Sequence, residues 1–98
     1  MSPTQRTLRL QGYPLVGVVE RFNPHAMVRQ DLFGILDVLA VGADIVGVQT
    51  TSGSNAASRV KKLQQSEALP LLKAAGVRVV VHGWRKLKDR WSLREVVL

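Results

Sequence analysis

Residues 32–51 read LFGILDVLAVGADIVGVQTT, two apolar runs on either side of Gly42-Ala43-Asp44. The first run, residues 32–41, is apolar on both faces, which suits a central strand covered from both sides. The second, residues 45–51, returns as another strand, and the glycine-containing turn between them predicts an antiparallel hairpin. Side chains alternate along a strand, so Phe33, Ile35, Asp37, Leu39 and Val41 would share one face, with a single acid in an apolar row. A lone buried carboxylate is costly unless it is paired, hydrogen-bonded or metal-bound, so Asp37 demands an explanation. Gln49 and Thr51 share a face of the second strand. A three-residue turn pairs Val41 with Ile45 and sets Asp37 opposite Gln49, whereas a two-residue turn sets it opposite Val48. The plain alternative is a capped or solvent-facing Asp37, with Gln49 and Thr51 simply ending a strand.

Working outward, residues 4–11 fit a short helix after Pro3, ended by Gly12 and Pro14. Residues 13–22 read as a strand through Val16, Val18 and Val19, ended by Asn23-Pro24, and residues 23–30 as a connection. On the other side, residues 51–55 offer helix N-caps, and Ala56, Val60 and Leu63 give the apolar stripe of an amphipathic helix whose outer face carries Arg59, Lys61 and Lys62. Pro70 predicts a break near residues 66–69 and a second short helix ending at Gly76. Residues 77–82 are a strand by β-branching, residues 83–90 a basic loop, and residues 91–98 a last strand paired with the preceding one. The order of helix, three strands, helix and two strands predicts an α/β sandwich or α+β domain with a mixed sheet.

At 98 residues the chain has room for one domain, residues 1–98. Its 46% apolar and 21% charged residues describe a chain that folds, and its lack of cysteine excludes disulfides, thiolate zinc sites and a cysteine nucleophile. No apolar stretch approaches the roughly 20 residues of a membrane span, and the N-terminal residues lack a signal-type apolar core. A soluble protein of the cytoplasm, in a bacterial or phage-infected cell, is the expectation. The net charge of +7 is unevenly placed: residues 1–50 are neutral, and residues 51–98 carry the whole excess. Such asymmetry attracts polyanions, nucleic acid first among them; the bland alternative is a solvated basic surface that aids solubility.

Three groups of residues carry a resemblance. They are Val19-Glu20-Arg21-Phe22-Asn23-Pro24-His25, then residues 29–37 (RQDLFGILD), then Gly47-Val48-Gln49-Thr50-Thr51 with Arg59-Val60-Lys61-Lys62 behind it. With Gly83-Trp84-Arg85-Lys86-Leu87 they resemble small phage and bacterial proteins of the PD-(D/E)xK nuclease superfamily, over roughly residues 13–91. The resemblance implies a three-layer αβββαβ core with a central mixed sheet, of restriction-endonuclease type, matching the order read above. It also implies that Asp37 stands at the superfamily's first acid, Gln49 at its second acid and Thr51 at its lysine. Asp37 and Gln49 would then hold magnesium or manganese, with Lys62, Lys61 or Arg59 supplying the missing cation from the following helix. Gln for an acid removes a negative charge, and a threonine hydroxyl cannot replace an ammonium.

The expected function is therefore nucleic-acid binding on a nuclease-like fold, DNA ahead of RNA, through Arg59, Lys61, Lys62, Arg85, Lys86 and Lys88. Metal-dependent DNA cleavage of weak activity goes with it. The alternatives are a binding module that has lost the chemistry and a protein-interaction module whose basic face meets an acidic partner. An open sheet edge in so small a domain also suits a homodimer. Glu20 and Asp31 read as further acids or, more plainly, as surface or salt-bridged ones with Arg21 or Arg29. His25 and His82 lack metal-ligand spacing, and Trp84 and Trp91 suit either base stacking or sheet-edge packing. No phosphate-cradling glycine loop, zinc-protease or serine-hydrolase motif occurs.

Overall fold

A computed structural model describes residues 2–98, the side chain of Arg29 excepted. The chain begins with α1 (Pro3–Leu10). Ser2 caps it reciprocally, its hydroxyl accepting from the Gln5 N–H at 3.2 Å while Gln5 Oε1 accepts from the Ser2 N–H at 3.0 Å. Then follow β1 (Leu15–Val18), β2 (Arg21–Asn23), β3 (Val28–Gln30), β4 (Val38–Val41) and β5 (Ile45–Ser52). A single 3-10 turn (Gly53–Asn55) leads into α2 (Ala56–Gln64) and α3 (Ala68–Ala74), and β6 (Val77–Lys86) and β7 (Trp91–Val97) close the chain.

Five strands form one mixed sheet in the order β1-β4-β5-β6-β7, and β2 and β3 pair apart from it as a small hairpin. Strands β5 and β6 are parallel and need a crossover, which α2 and α3 supply; the other neighbours are antiparallel. Alternation along β6 divides the core. Val80 packs with Leu8 of α1, Val38, Ala40, Val46 and Val48, while Val79 and Val81 pack with Leu36, Ala56, Leu63 and Leu69 beneath α2 and α3. The result is an α/β arrangement of three layers, with a helix layer on each face of the sheet. Leaving out the β2–β3 hairpin, the element order is the one expected from the sequence. None of the described helices is long and apolar enough to cross a membrane.

Four expectations need correction. Residues 32–41 are not one strand: only Val38–Val41 is, and Leu32 and Leu36 close a tight reversal, exchanging backbone hydrogen bonds of 2.7 and 3.0 Å. Phe33 and Gly34 adopt φ of +57° and +74° there, which turns the chain back on itself. The run is apolar on both sides because Ile35 and Leu36 plug the α2–α3 layer, so the row from Phe33 to Val41 does not exist as a single face. Leu36 sits where only a glycine allows it: a Cβ on Gly47 would lie 2.6 Å from Leu36 Cδ1.

Residues 13–22 likewise break, because after Val18 the N–H groups of Val19 and Glu20 turn to the Asp37 carbonyl at 3.0 and 3.4 Å. The expected connection over residues 23–30 is the turn and second strand of the β2–β3 hairpin, whose short polar strands carry no alternating apolar signal. The basic loop shrinks to residues 87–90, since Gly83–Lys86 stay paired with Trp91–Arg94. Both α-helices expected around Pro70 are present, Pro70 sitting in the first turn of α3 where its missing N–H costs nothing.

Candidate metal centre

The site lies along one edge of the sheet, where β1, β5 and β6 end and β4 and β7 begin. The hairpin register places it. Val41 pairs with Ile45 and Val38 with Val48 across the three-residue turn Gly42–Asp44, so Asp37, one step before β4, stands opposite Gln49. At the far edge Tyr13 fastens that turn, donating to Asp44 at 2.6 Å and accepting from Arg78 at 2.7 Å. The pair Arg78–Asp44, 3.5 Å apart, is thereby accounted for away from the site.

Asp37 is held from every side. Its N–H donates to the Val48 carbonyl at 2.9 Å, and its own carbonyl takes the two N–H groups at the end of β1. Its carboxylate accepts the Thr50 N–H at 3.1 Å, the Thr50 hydroxyl at 2.8 Å and the Gln49 amide Nε2 at 3.4 Å. The hydroxyl at this acid thus belongs to Thr50. Thr51, the residue at the expected lysine position, lines the hollow beside Asp37 but makes no hydrogen bond to it. Gln49 Nε2 donates at the same time to Asp31 Oδ2, 3.3 Å away.

Glu20, at the end of β1, and Asp31, after β3, complete the group: Glu20, Asp31 and Asp37 each offer a carboxylate oxygen, all within 4.8 Å of one another. Glu20 and Asp31, read from the sequence as further acids or as surface or salt-bridged ones, are both half-buried and stand at one point. The partner considered for Asp31, Arg29, has its side chain outside the described residues. The β2–β3 hairpin brings Asp31 back beside Glu20, and the only sequence sign of it was the turn-forming Asn23-Pro24. Burial pushes the Asp37 carboxyl up to about 6, against the two hydrogen bonds from Thr50, and Asp31 and Glu20 add to the rise by repulsion.

Gln49 is only 3% exposed, and its Oε1 has no hydrogen-bond partner among the described residues. Its N–H groups face two carboxylates, so they occupy the place of a positive charge. An amide reverses donor and acceptor by a half-turn, which would deliver Oε1 to the carboxylate cluster. The donor set is then all hard oxygen, which fits magnesium or manganese rather than a soft metal.

Lys62 of α2 lines a groove of about 700 Å³ together with Asp31, Arg21, Gln30 and Phe33. Arg59 and Lys61 stand on the same helix outside that lining. Arg85 and Lys86 end β6 and line a second hollow with Ser52, Ser54 and Arg94, while Lys88 lies in the adjoining loop. Of the expected basic residues, Lys62 shares a groove with Asp31, and Arg85 and Lys86 line a hollow that adjoins, at Trp84, the one beside Asp37, whereas Arg59, Lys61 and Lys88 line neither. Of the histidines, His82 is fully buried and serves the core, its ring bonded to Thr4 at 3.2 Å and Glu95 at 2.8 Å. Comparison with family models, with curated proteins and with solved structures found no match.

Proposed function

We propose that the protein binds DNA along this sheet edge and hydrolyses its phosphodiester backbone with a divalent cation, on a fold of PD-(D/E)xK nuclease type. The observation that carries the reading is the meeting of Glu20, Asp31 and Asp37 around a buried Gln49 whose amide oxygen has no partner among the described residues. Three carboxylates and an amide oxygen brought to one point offer a cation a hard-oxygen donor set. The succession of α1, β1, β4, β5, α2 and β6 supports the nuclease-like fold, with Asp37 and Gln49 at the positions that the resemblance gives to the acids.

Glu20, Asp31, Asp37 and Gln49 would hold the cation. When bound, magnesium or manganese supplies charge stabilisation at phosphoryl oxygens and an acidified water. Thr50 fixes the Asp37 carboxylate, its N–H donating to both oxygens and its hydroxyl to Oδ2. Lys62 and Arg21, on the walls of the groove that contains Asp31, attract the phosphate and balance charge as it develops. Lys62 takes the part that Thr51 cannot. The departures at Gln49 and Thr51 favour a second reading, a DNA-binding module without cleavage.

The two readings part on nicking of supercoiled plasmid in magnesium and in manganese. Cleavage that falls at least tenfold in both Asp37→Asn and Lys62→Ala is expected. Binding without cleavage in either metal favours the second reading, and cleavage indifferent to Asp37→Asn refutes the site.

A further inference from the structure

We propose that the hollow between α1 and the β6–β7 hairpin receives an unpaired nucleobase of the strand whose phosphate lies at the carboxylates. The inference rests on the DNA-cleaving reading above and specifies its substrate as single-stranded or locally unpaired DNA.

The hollow measures about 360 Å³, within the size range of small-ligand sites. Its walls include Glu20 and Asp37, two of the three clustered acids, so a group inside it lies beside the candidate metal centre. The remaining lining divides by chemistry. Trp84, Trp91, Val18 and Val38 give apolar surface, and the side chains of Ser2, Gln5 and Thr51 give neutral polar groups. No lysine or arginine is among the described residues that line it. That is a surface for a base and its hydrogen-bonding edge, and a poor one for a phosphate. The neighbouring hollow, across Trp84, is the reverse: Arg85, Lys86 and Arg94 surround it with Ser52 and Ser54. A single strand suits this alternation of an aromatic recess without cations and a cationic track.

The two tryptophans are prepared differently for the task. Trp84 is fixed, its indole N–H donating to Thr4 Oγ1 at 2.6 Å and its ring meeting His82 edge to face, with centroids 6.1 Å apart. Trp91, the first residue of β7, is 49% exposed, and Lys86 Nζ stands 5.0 Å from its ring centroid. A half-exposed ring held against a cation stacks on a base with little loss of side-chain freedom. A base paired within a duplex cannot enter the recess, so entry requires that it be unpaired.

The test is binding of short single-stranded DNA and of the matching duplex, in calcium to suppress cleavage, followed by tryptophan emission and by fluorescence anisotropy. Single strands are expected to quench the emission and to bind at least tenfold more tightly than duplex. Replacing one nucleotide at a time by an abasic residue should reveal one position that costs about tenfold in affinity and removes the quenching, the size of one stacked base. Trp91→Ala should lose the same factor and become indifferent to that abasic position, and Trp91→Phe should retain most of the affinity. Salt-dependent binding that is equal for duplex and single strand, and insensitive to every abasic position, overturns the base recess and leaves DNA binding standing. Absence of salt-dependent binding to either form overturns the DNA reading itself, and the recess with it.

Discussion

Asp37 works against the fold and for the site. Its carboxyl is raised from 3.8 to about 6, first by burial and then by Asp31 and Glu20. An acid whose folded value is raised favours folding while both states are protonated, below its unfolded value. That contribution is lost as pH rises through about 6, and above it the fold carries a charged group it would rather keep neutral. Asp37→Asn without divalent metal is therefore expected to raise stability above pH ~7 by about 1–2 kcal/mol and to leave it little changed at pH ~4. Urea unfolding at the two pH values checks this, and a substitution that destabilises at both shows that the hydrogen bonds from Thr50 outweigh the repulsion. Turn length allowed Asp37 to face Gln49 but left the register opposite Val48 open, and the pairing of Val41 with Ile45 decides between them. Glu20 and Asp31 were not legible as neighbours, because their meeting depends on a hairpin that lies outside the sheet, and nothing in their spacing measures where that hairpin returns. Thr50 was missed for a related reason: Asp37 stands just outside β4, where strict alternation no longer fixes which neighbour its carboxylate meets.

Among the elements, α1 meets the sheet through Leu8, packed in the core, and through the hydroxyl of Thr4. Thr4 Oγ1 accepts the Trp84 indole N–H at 2.6 Å and lies 3.2 Å from His82 Nδ1, so the hydroxyl hydrogen is left for that nitrogen. The imidazole is then neutral, with its Nε2 hydrogen given to Glu95. Burial lowers the His82 value below 6.5, against the pull of Glu95. This contribution to stability is complete above the unfolded value and is lost as pH falls through the lowered folded one. Thr4→Val keeps the shape and strands two buried polar groups, so a loss of about 2–4 kcal/mol is expected by denaturant unfolding. A loss under about 0.5 kcal/mol would show that α1 does not depend on this junction. Elements with a local signature were readable from the sequence: α1 from Pro3 and the stop at Gly12 and Pro14, the α2–α3 break from Pro70, and β6 from its valines. Residues 32–37 were not, since an apolar run closing a reversal under a helix layer has the same composition as a buried strand.

At the scale of the whole molecule, part of the second half's excess charge stands near the acids of the first. Lys62 lies on one side of the carboxylates, and Arg85, Lys86 and Lys88 lie toward β7. Charge reversal at Arg85, Lys86 and Lys88 is expected to weaken DNA binding severalfold or more and to flatten its dependence on salt concentration, as fewer counterions are released. An unchanged affinity and salt slope would mark these side chains as a solvated surface only. The asymmetry itself was plain in the sequence, whereas its arrangement along one sheet edge depended on the strand order.

Calorimetric titration with manganese tests the cation site most directly, because it reads the four ligands without requiring cleavage or DNA. One ion per chain is expected, with affinity reduced at least tenfold in each of Glu20→Gln, Asp31→Asn and Asp37→Asn, and unaffected by Glu67→Gln, which lies away from the cluster. No heat of binding in the natural protein, or binding that survives Asp31→Asn and Asp37→Asn together, would contradict the assignment of these residues to a metal centre.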